Sequence, residues 1–273
     1  MATLAKSFDL SGRTALITGA AGLLGSQFSH TLAQAGATVM VADLDVSSAE
    51  KIAEDIKSAG GKAQSQAIDV TEPKSINDAI SSAVKSFGSL DILVNSAAIN
   101  PSFDEAERSN HSSAFEDYPL ETWNKSLAVN LSGAFLTSQA AGRQMLKQES
   151  GVIVNICSTY GLVGPDQRLY QREGQPPEFK PVDYSVTKAG ILGLTRYLAA
   201  YYGKQNIRVN ALTPGGVANA QDAEFQKAYS ARAILGRMAD KDEMNAAMLF
   251  LASDASSYMT GANLVVDGGW TAW

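Results

Sequence analysis

The stretch Thr14-Ala-Leu-Ile-Thr-Gly-Ala-Ala-Gly-Leu-Leu-Gly25 decides the fold. Its first five residues are apolar or β-prone and read as a short buried strand. Glycines follow at 19, 22 and 25, and residues 23–35 then take up the spacing of an amphipathic helix. Glycines in a strand-to-helix turn allow a tight reversal and let the backbone approach a bound group closely. The helix that starts there offers unpaired N–H groups and the positive end of its dipole, which suits an anion such as a pyrophosphate.

The same alternation continues to the carboxyl end. Short β-rich runs stand at 14–18, 38–43, 63–69, 90–95, 152–158, 207–213 and 262–267, and segments with helical spacing at 23–35, 49–59, 75–87, 120–146, 184–202 and 242–252. Strands separated by helices predict a parallel sheet, because each parallel pairing needs a crossover. Val152-Ile-Val-Asn-Ile156 is nearly continuous in apolar residues, as a strand covered on both faces should be. The expectation is an α/β, Rossmann-type doubly wound sheet of about seven strands, formed by residues 1–273 as a single domain. Two polar, proline-bearing stretches, 100–119 and 164–181, interrupt the rhythm. Both leave strands that should end on one edge of the sheet, where ligands bind in such folds, so they are expected to be substrate loops, together with 217–236.

Composition narrows the function. Lys and Arg number 22 against 28 Asp and Glu, a net charge of −6, which argues against a nucleic-acid or anionic-membrane partner. One cysteine, Cys157, excludes an intrachain disulfide, and with His30 and His111 leaves too few ligands for the usual zinc sites, so no metal is expected. No signal-like segment opens the chain and no apolar run reaches about 18 residues, so a cytoplasmic protein is expected.

The second run ends Val41-Ala-Asp-Leu-Asp45. A carboxylate about 20 residues beyond such glycines can accept hydrogen bonds from an adenosine ribose diol, and it repels the 2′-phosphate of NADP. Asp43 is the first choice, with Asp45 its rival, and no arginine follows to clamp a phosphate; NAD is the expected cofactor. Tyr184-Ser-Val-Thr-Lys188 places a phenol and an ammonium one helical turn apart. A phenol titrates near pH 10, and a nearby cation lowers that value, which makes Tyr184 a candidate acid–base.

Together these elements resemble the short-chain dehydrogenase/reductase family over essentially the whole chain. The resemblance is carried, in order, by the glycine turn, Asp69-Val70, Asn95-Ser-Ala-Ala98, Asn130, Ser158, Tyr184 with Lys188, Pro214-Gly215, and Thr260-Gly-Ala-Asn-Leu-Val-Val-Asp-Gly-Gly269. It implies an enzyme that moves hydride between a nicotinamide and a secondary alcohol or ketone. Ser158 would polarise the substrate oxygen and Tyr184 exchange its proton. Lys188 would lower the tyrosine pKa and hold the nicotinamide ribose, and Asn130 would support a water leading to Lys188. Cofactor contacts are expected from Gly19, Gly22, Leu23, Leu24, Gly25, Asp43, Leu44, Asp69, Val70, Asn95, Ala97, Pro214, Gly215, Val217 and Asn219, besides Tyr184 and Lys188.

Three features depart from the family pattern. Gly22 is followed by Leu23, a spacing similar to sugar-nucleotide epimerases; the threonine often found after Pro-Gly is replaced by Asn219; and Ser158 and Tyr184 stand 26 positions apart (184 − 158), about twice the common spacing. The 100–119 and 164–181 stretches carry Asp104, Glu105, Glu107, Arg108, His111, Asp166, Gln167, Arg168, Arg172 and Glu173, with Tyr170 and Phe179 among them. That lining predicts a hydroxylated or anionic, sugar-related substrate, and Arg168 and Arg172 are the candidates for a carboxylate or phosphate because guanidinium binds either with two prongs. The alternatives are a 3-oxoacyl-carrier-protein reductase and a non-catalytic NAD-sensing module. The family resemblance also implies a homo-oligomer, a tetramer, with Tyr201, Tyr202, Trp270 and Trp273 as apolar groups that could serve its contacts or equally cover the core.

Overall fold

The computed structural model describes residues 3–100, 113–172, 174 and 177–273. Seven parallel strands, β1 (Thr14–Thr18), β2 (Thr38–Asp43), β3 (Lys62–Ala67), β4 (Ile92–Asn95), β5 (Gly151–Ile156), β6 (Ile207–Pro214) and β7 (Asn263–Val266), form one sheet in the order β3-β2-β1-β4-β5-β6-β7. The chain winds outward in one direction from β1 to β3, then returns to place β4 on the other side of β1. That reversal opens a crevice beyond the carboxyl ends of β1 and β4, where a doubly wound sheet binds its ligands.

Buried side chains explain why the sheet is central. Every residue of β1, β4 and β5 is buried, and two apolar clusters cover the two faces. One joins Ile17, Phe28 and Leu32 to Val154, Met248 and Leu251; the other joins Leu16 and Ile76 to Ile80, Leu93, Met145 and Ile153. A fully buried Leu, Ile or Phe contributes roughly 1.5–3 kcal/mol, so the alternating faces of these strands fix the register strongly.

Several boundaries differ from the sequence expectation. Helix Val46–Ser58 begins earlier than expected because Asp45 caps it, its carboxylate accepting from the backbone N–H of Ser48 at 3.1 Å. Helix Pro73–Phe87 starts at its proline, which supplies a pre-set φ where no N–H is needed. The region expected as one helix over 120–146 is three pieces: helix Leu120–Ser126, a π-helical stretch Leu127–Ser132, and helix Gly133–Gln148. The wide turn falls on Asn130, and such insertions are frequent at functional sites. β5 ends at Ile156, and Ser158 instead caps a short 3₁₀ turn, Thr159–Gly161. The segment after Pro214-Gly215 contains helix Ala223–Ser230, capped by the carboxylate of Asp222 on the N–H of Phe225.

Candidate active site

A cavity of about 1190 Å³ runs along the carboxyl edge of the sheet. Its floor begins at the glycine turn. Gly19 has φ +64°, and a Cβ there would lie 2.6 Å from the Cα of Ala97; a Cβ on Gly25 would lie 2.1 Å from the Gly19 carbonyl oxygen. The turn therefore folds tightly against the end of β4 only with glycine at both positions. Helix Leu23–Gln34 starts at Gly22, which has no side chain to cap it, so the first N–H groups remain available at the cavity wall.

Asp43, at the end of β2, is held on both sides by backbone. Its Oδ2 accepts from the N–H of Ala21 at 2.8 Å and its Oδ1 from that of Asp45 at 3.0 Å. Asp45 caps its own helix and does not line the cavity, which separates the two rivals. Asp69 Oδ1 accepts from the N–H of Thr71 at 2.8 Å, leaving the turn Asp69-Val70-Thr71 along the wall.

At the far end β5, helix Val182–Tyr202 and β6 bring Ser158, Tyr184, Lys188, Pro214, Gly215 and Val217 to the same cavity. The separation of 26 positions (184 − 158) is taken up by the intervening segment and does not keep Ser158 from the tyrosine. Burial pushes the Tyr184 phenol above its ordinary value, and a hydrogen bond from Ser158 pulls it back. The Lys188 ammonium is 5.7 Å from the ring centroid and donates to the Ile156 carbonyl at 2.9 Å, while burial brings its own pKa down to about 8. Asn130 sits outside the cavity lining, bonded to the backbone of Ile99 in both directions at 2.8 Å. It ties the β4 exit loop to the π-helical turn.

Other expected residues stand elsewhere. Asn95 spends its side chain within the sheet layer, donating to Asn155 at 2.8 Å and Ser138 at 2.9 Å and accepting from Thr137 at 2.6 Å; Ala97 lines the cavity in its place. Asn219 is exposed and absent from the lining. Arg168 and Arg172 also lie off the cavity, because carboxylates of their own chain already hold them. Arg168 grips Asp166 with two prongs at 2.8 Å, and Arg172 meets Asp222 at 2.8 Å and Glu224 at 3.6 Å. Arg232 also pairs with Asp166. The loop charges neutralise one another on the outside. Asp104, Glu105, Glu107, Arg108, His111 and Glu173 lie outside the described residues.

The wall facing Tyr184 is instead aromatic. Tyr160 and Tyr170 share a hydrogen bond at 3.0 Å, Tyr170 tilts against Phe225 at 5.7 Å, and Phe225 stacks on Tyr229 at 6.0 Å. Tyr229 stacks in turn on Trp270 at 4.2 Å and accepts from the N–H of Gly216 at 2.5 Å. Except for Trp270 these rings line the cavity, with Met238. Burial drives the Tyr170 phenol far upward and that of Tyr229 to about 12, so both stay neutral hydrogen-bonding groups. Tyr170 is legible as a loop aromatic; Tyr160 follows a predicted strand end and Tyr229 falls in the 217–236 stretch, and neither carries a signal of its own in the sequence. Lys180 also lines the cavity and was read only as part of a polar loop. Among the described residues no helix is long and apolar enough to cross a membrane, and no three His, Cys, Asp or Glu cluster as a metal site would need.

Known proteins share this plan. Residues 19–271 match the family model adh_short_C2, described as enoyl-(acyl carrier protein) reductase. The chain is 35% identical to D-threitol dehydrogenase of Mycolicibacterium smegmatis, across 97% of this chain and 95% of that one. It is 38% identical to trans-4-hydroxycyclohexanecarboxylate dehydrogenase of Sinomonas cyclohexanicum, across 95% and 93%. The crystal structure of a gluconate 5-dehydrogenase from Burkholderia cenocepacia, in complex with NADP and tartrate, superposes with a TM-score of 0.85 at 30% identity, covering 99% of this chain and 100% of that one. Matches over nearly the full length, with the glycine turn and Tyr184–Lys188 at one cavity, make this chain a member of the short-chain dehydrogenase/reductase family of nicotinamide-dependent oxidoreductases.

Proposed function

We propose that the protein oxidises a secondary alcohol, or reduces the corresponding ketone, with NAD as hydride carrier and a polar, sugar-related compound as substrate. The observation that carries this reading is the convergence of Ser158, Tyr184 and Lys188 on the cavity that also contains the glycine turn and Asp43. The glycine turn, the uncapped helix start and the length of the cavity fit a dinucleotide, whose nicotinamide supplies hydride acceptance and donation when bound.

Each side chain has a distinct task. Ser158 donates to the substrate oxygen and holds it against Tyr184. Tyr184 takes the alcohol proton as the carbon loses hydride, or returns it in reduction; a positioned acid–base contributes about 10²–10⁴-fold. Burial favours the protonated phenol, so the base form depends on positive charge beside it. Lys188, held by the Ile156 carbonyl and on the face of the same helix as Tyr184, supplies one such charge. Asp43, with both oxygens braced by backbone, is placed to receive a ribose diol and to repel a 2′-phosphate.

The threitol and gluconate dehydrogenases among its relatives support a polyol-like substrate, and the NADP in the gluconate enzyme makes cofactor choice a point to measure. The acyl-carrier description of the family favours a second reading, reduction of a 3-oxoacyl thioester. A screen of the purified enzyme over polyols, sugars, sugar acids and acetoacetyl thioester with each cofactor, followed by absorbance of the reduced nicotinamide, separates them. NAD-linked oxidation of hydroxylated substrates is expected; NADPH-dependent thioester reduction alone would overturn the proposal. The exposed pair Tyr197 and Tyr201, stacked at 6.1 Å on helix Val182–Tyr202, fits burial in a homotetramer. Light scattering at micromolar concentration should then give four chains, and a monomer would refute it.

A further inference from the structure

We infer that Lys180 is the substrate's anion site: the cavity takes a hydroxy acid, or its keto acid, whose carboxylate pairs with the Lys180 ammonium while its carbon frame lies on the aromatic wall. This rests on the dehydrogenase reading above and narrows its substrate class.

Lys180 is a built feature of the cavity. Its side chain is 9% exposed, and its ammonium stands over the Tyr184 ring, 4.3 Å from the centroid, nearer than that of Lys188. The backbone is fixed on both sides: Lys180 N–H donates to Gln167 at 2.8 Å, and Pro181 begins helix Val182–Tyr202 immediately after. Its Nζ donates to the amide oxygen of Asn100, a neutral acceptor on the same cavity. Among the described residues it has no ion-pair partner. Asp183 attracts it at a distance but spends one oxygen on the Tyr118 hydroxyl at 2.9 Å.

Burying an ammonium without a counter-ion is costly, and here the cost shows as a pKa brought down to about 8. A neighbouring carboxylate would relieve it. The two arginines that could have served are neutralised outside the cavity, and Lys188 already gives a hydrogen bond to a carbonyl and stands further from the phenol ring. Asp43 and Asp69 line the cavity near the glycine turn and the β3 exit, and among the described residues that line it no carboxylate stands at the Lys180 end; Asp183 lies outside the lining and is engaged by Tyr118. Facing rings of Tyr160, Tyr170 and Phe225 offer flat apolar surface to a carbon ring or chain.

The test is binding, without turnover. Cyclohexanecarboxylate and its uncharged match, cyclohexanecarboxamide, are titrated into the full-length protein by calorimetry in the presence of NAD⁺. The acid should bind at least tenfold tighter than the amide. Lys180→Met should erase that preference while leaving amide affinity within about threefold, and Lys180→Arg should keep part of it. Equal binding of acid and amide by the unmodified protein, no binding of either, or a preference that survives Lys180→Met would each overturn the inference. Should Lys180→Met fail to fold, Lys180→Gln with the same ligands makes the same discrimination. An active dehydrogenase without acid preference sinks this inference alone; acid preference in a protein with no hydride transfer sinks the activity alone.

Discussion

Arg172 and Asp222, fifty positions apart, are joined at 2.8 Å, and this pair fastens the long loop before Tyr184 to the helix that follows Pro214-Gly215. Glu224 adds a longer contact to the same guanidinium, and Arg232 reaches back to Asp166 from the other end of that helix. Tyr170 and Phe225, one from each segment, meet just beneath. Two segments that contribute Tyr170 and Phe225 to the cavity wall are thus joined by partly exposed charges as well as by an aromatic contact.

Exposed ion pairs contribute only about 0–1 kcal/mol, so cutting this one should alter the cavity mouth more than the fold. Arg172→Ala and Asp222→Asn are each expected to raise KM severalfold and to move Tm by less than about 4 °C. The double variant should do little more than either single one, read by steady-state kinetics and thermal melts. Strictly additive effects on KM would show that the two residues act independently.

The proposed NAD preference rests on Asp43. Its braced carboxylate would repel a 2′-phosphate, and the described residues lining the cavity include no arginine. Asp43→Ser is expected to shift the ratio of kcat/KM for NAD against NADP by at least tenfold toward NADP, about 1.4 kcal/mol. An unchanged ratio would remove Asp43 from the selection of cofactor.

The buried lysines predict a pH dependence of stability. Lys180 and Lys188 each titrate at about 8 in the folded chain against an ordinary 10.5. Above pH 8 the unfolded chain therefore holds protons that the folded chain has released, and stability rises with pH. Burial raises the Cys157 thiol above its ordinary 9.0, which works in the opposite sense at higher pH, so the window to measure is pH 8 to 9. The unfolding free energy from urea titration should rise across that window by about 1–2 kcal/mol in the unmodified protein. Lys180→Met should lose about half of that rise, and an equal slope in both proteins would contradict the buried, proton-releasing lysine.

Much of this was legible in the residues. The turn at Gly19, Gly22 and Gly25 and the continuous apolar runs of β1 and β5 dictate a parallel sheet with a crevice at β1 and β4, because few other arrangements bury them. Tyr184 and Lys188 could be marked by their spacing of one helical turn, and Ser158 by the family resemblance. Charge partners were not legible. Arg168 and Arg172 look like anion binders until Asp166, Asp222 and Glu224 take them up, and those contacts join segments far apart in sequence. Lys180 was hidden for the converse reason: a lysine in a polar loop looks solvated, and only the fold shows it buried over a ring. The π-helical turn at Asn130 has the same helical spacing as its neighbours and gave no separate signal.

Proton exchange at Tyr184 is the centre of the account, and Tyr184→Phe tests it by removing one oxygen atom from a ring that otherwise keeps its packing. NAD⁺ affinity, measured by calorimetry, should stay within about threefold, while kcat for alcohol oxidation falls by about 10²–10⁴-fold. Turnover near that of the unmodified protein would contradict the assignment of this phenol as the acid–base.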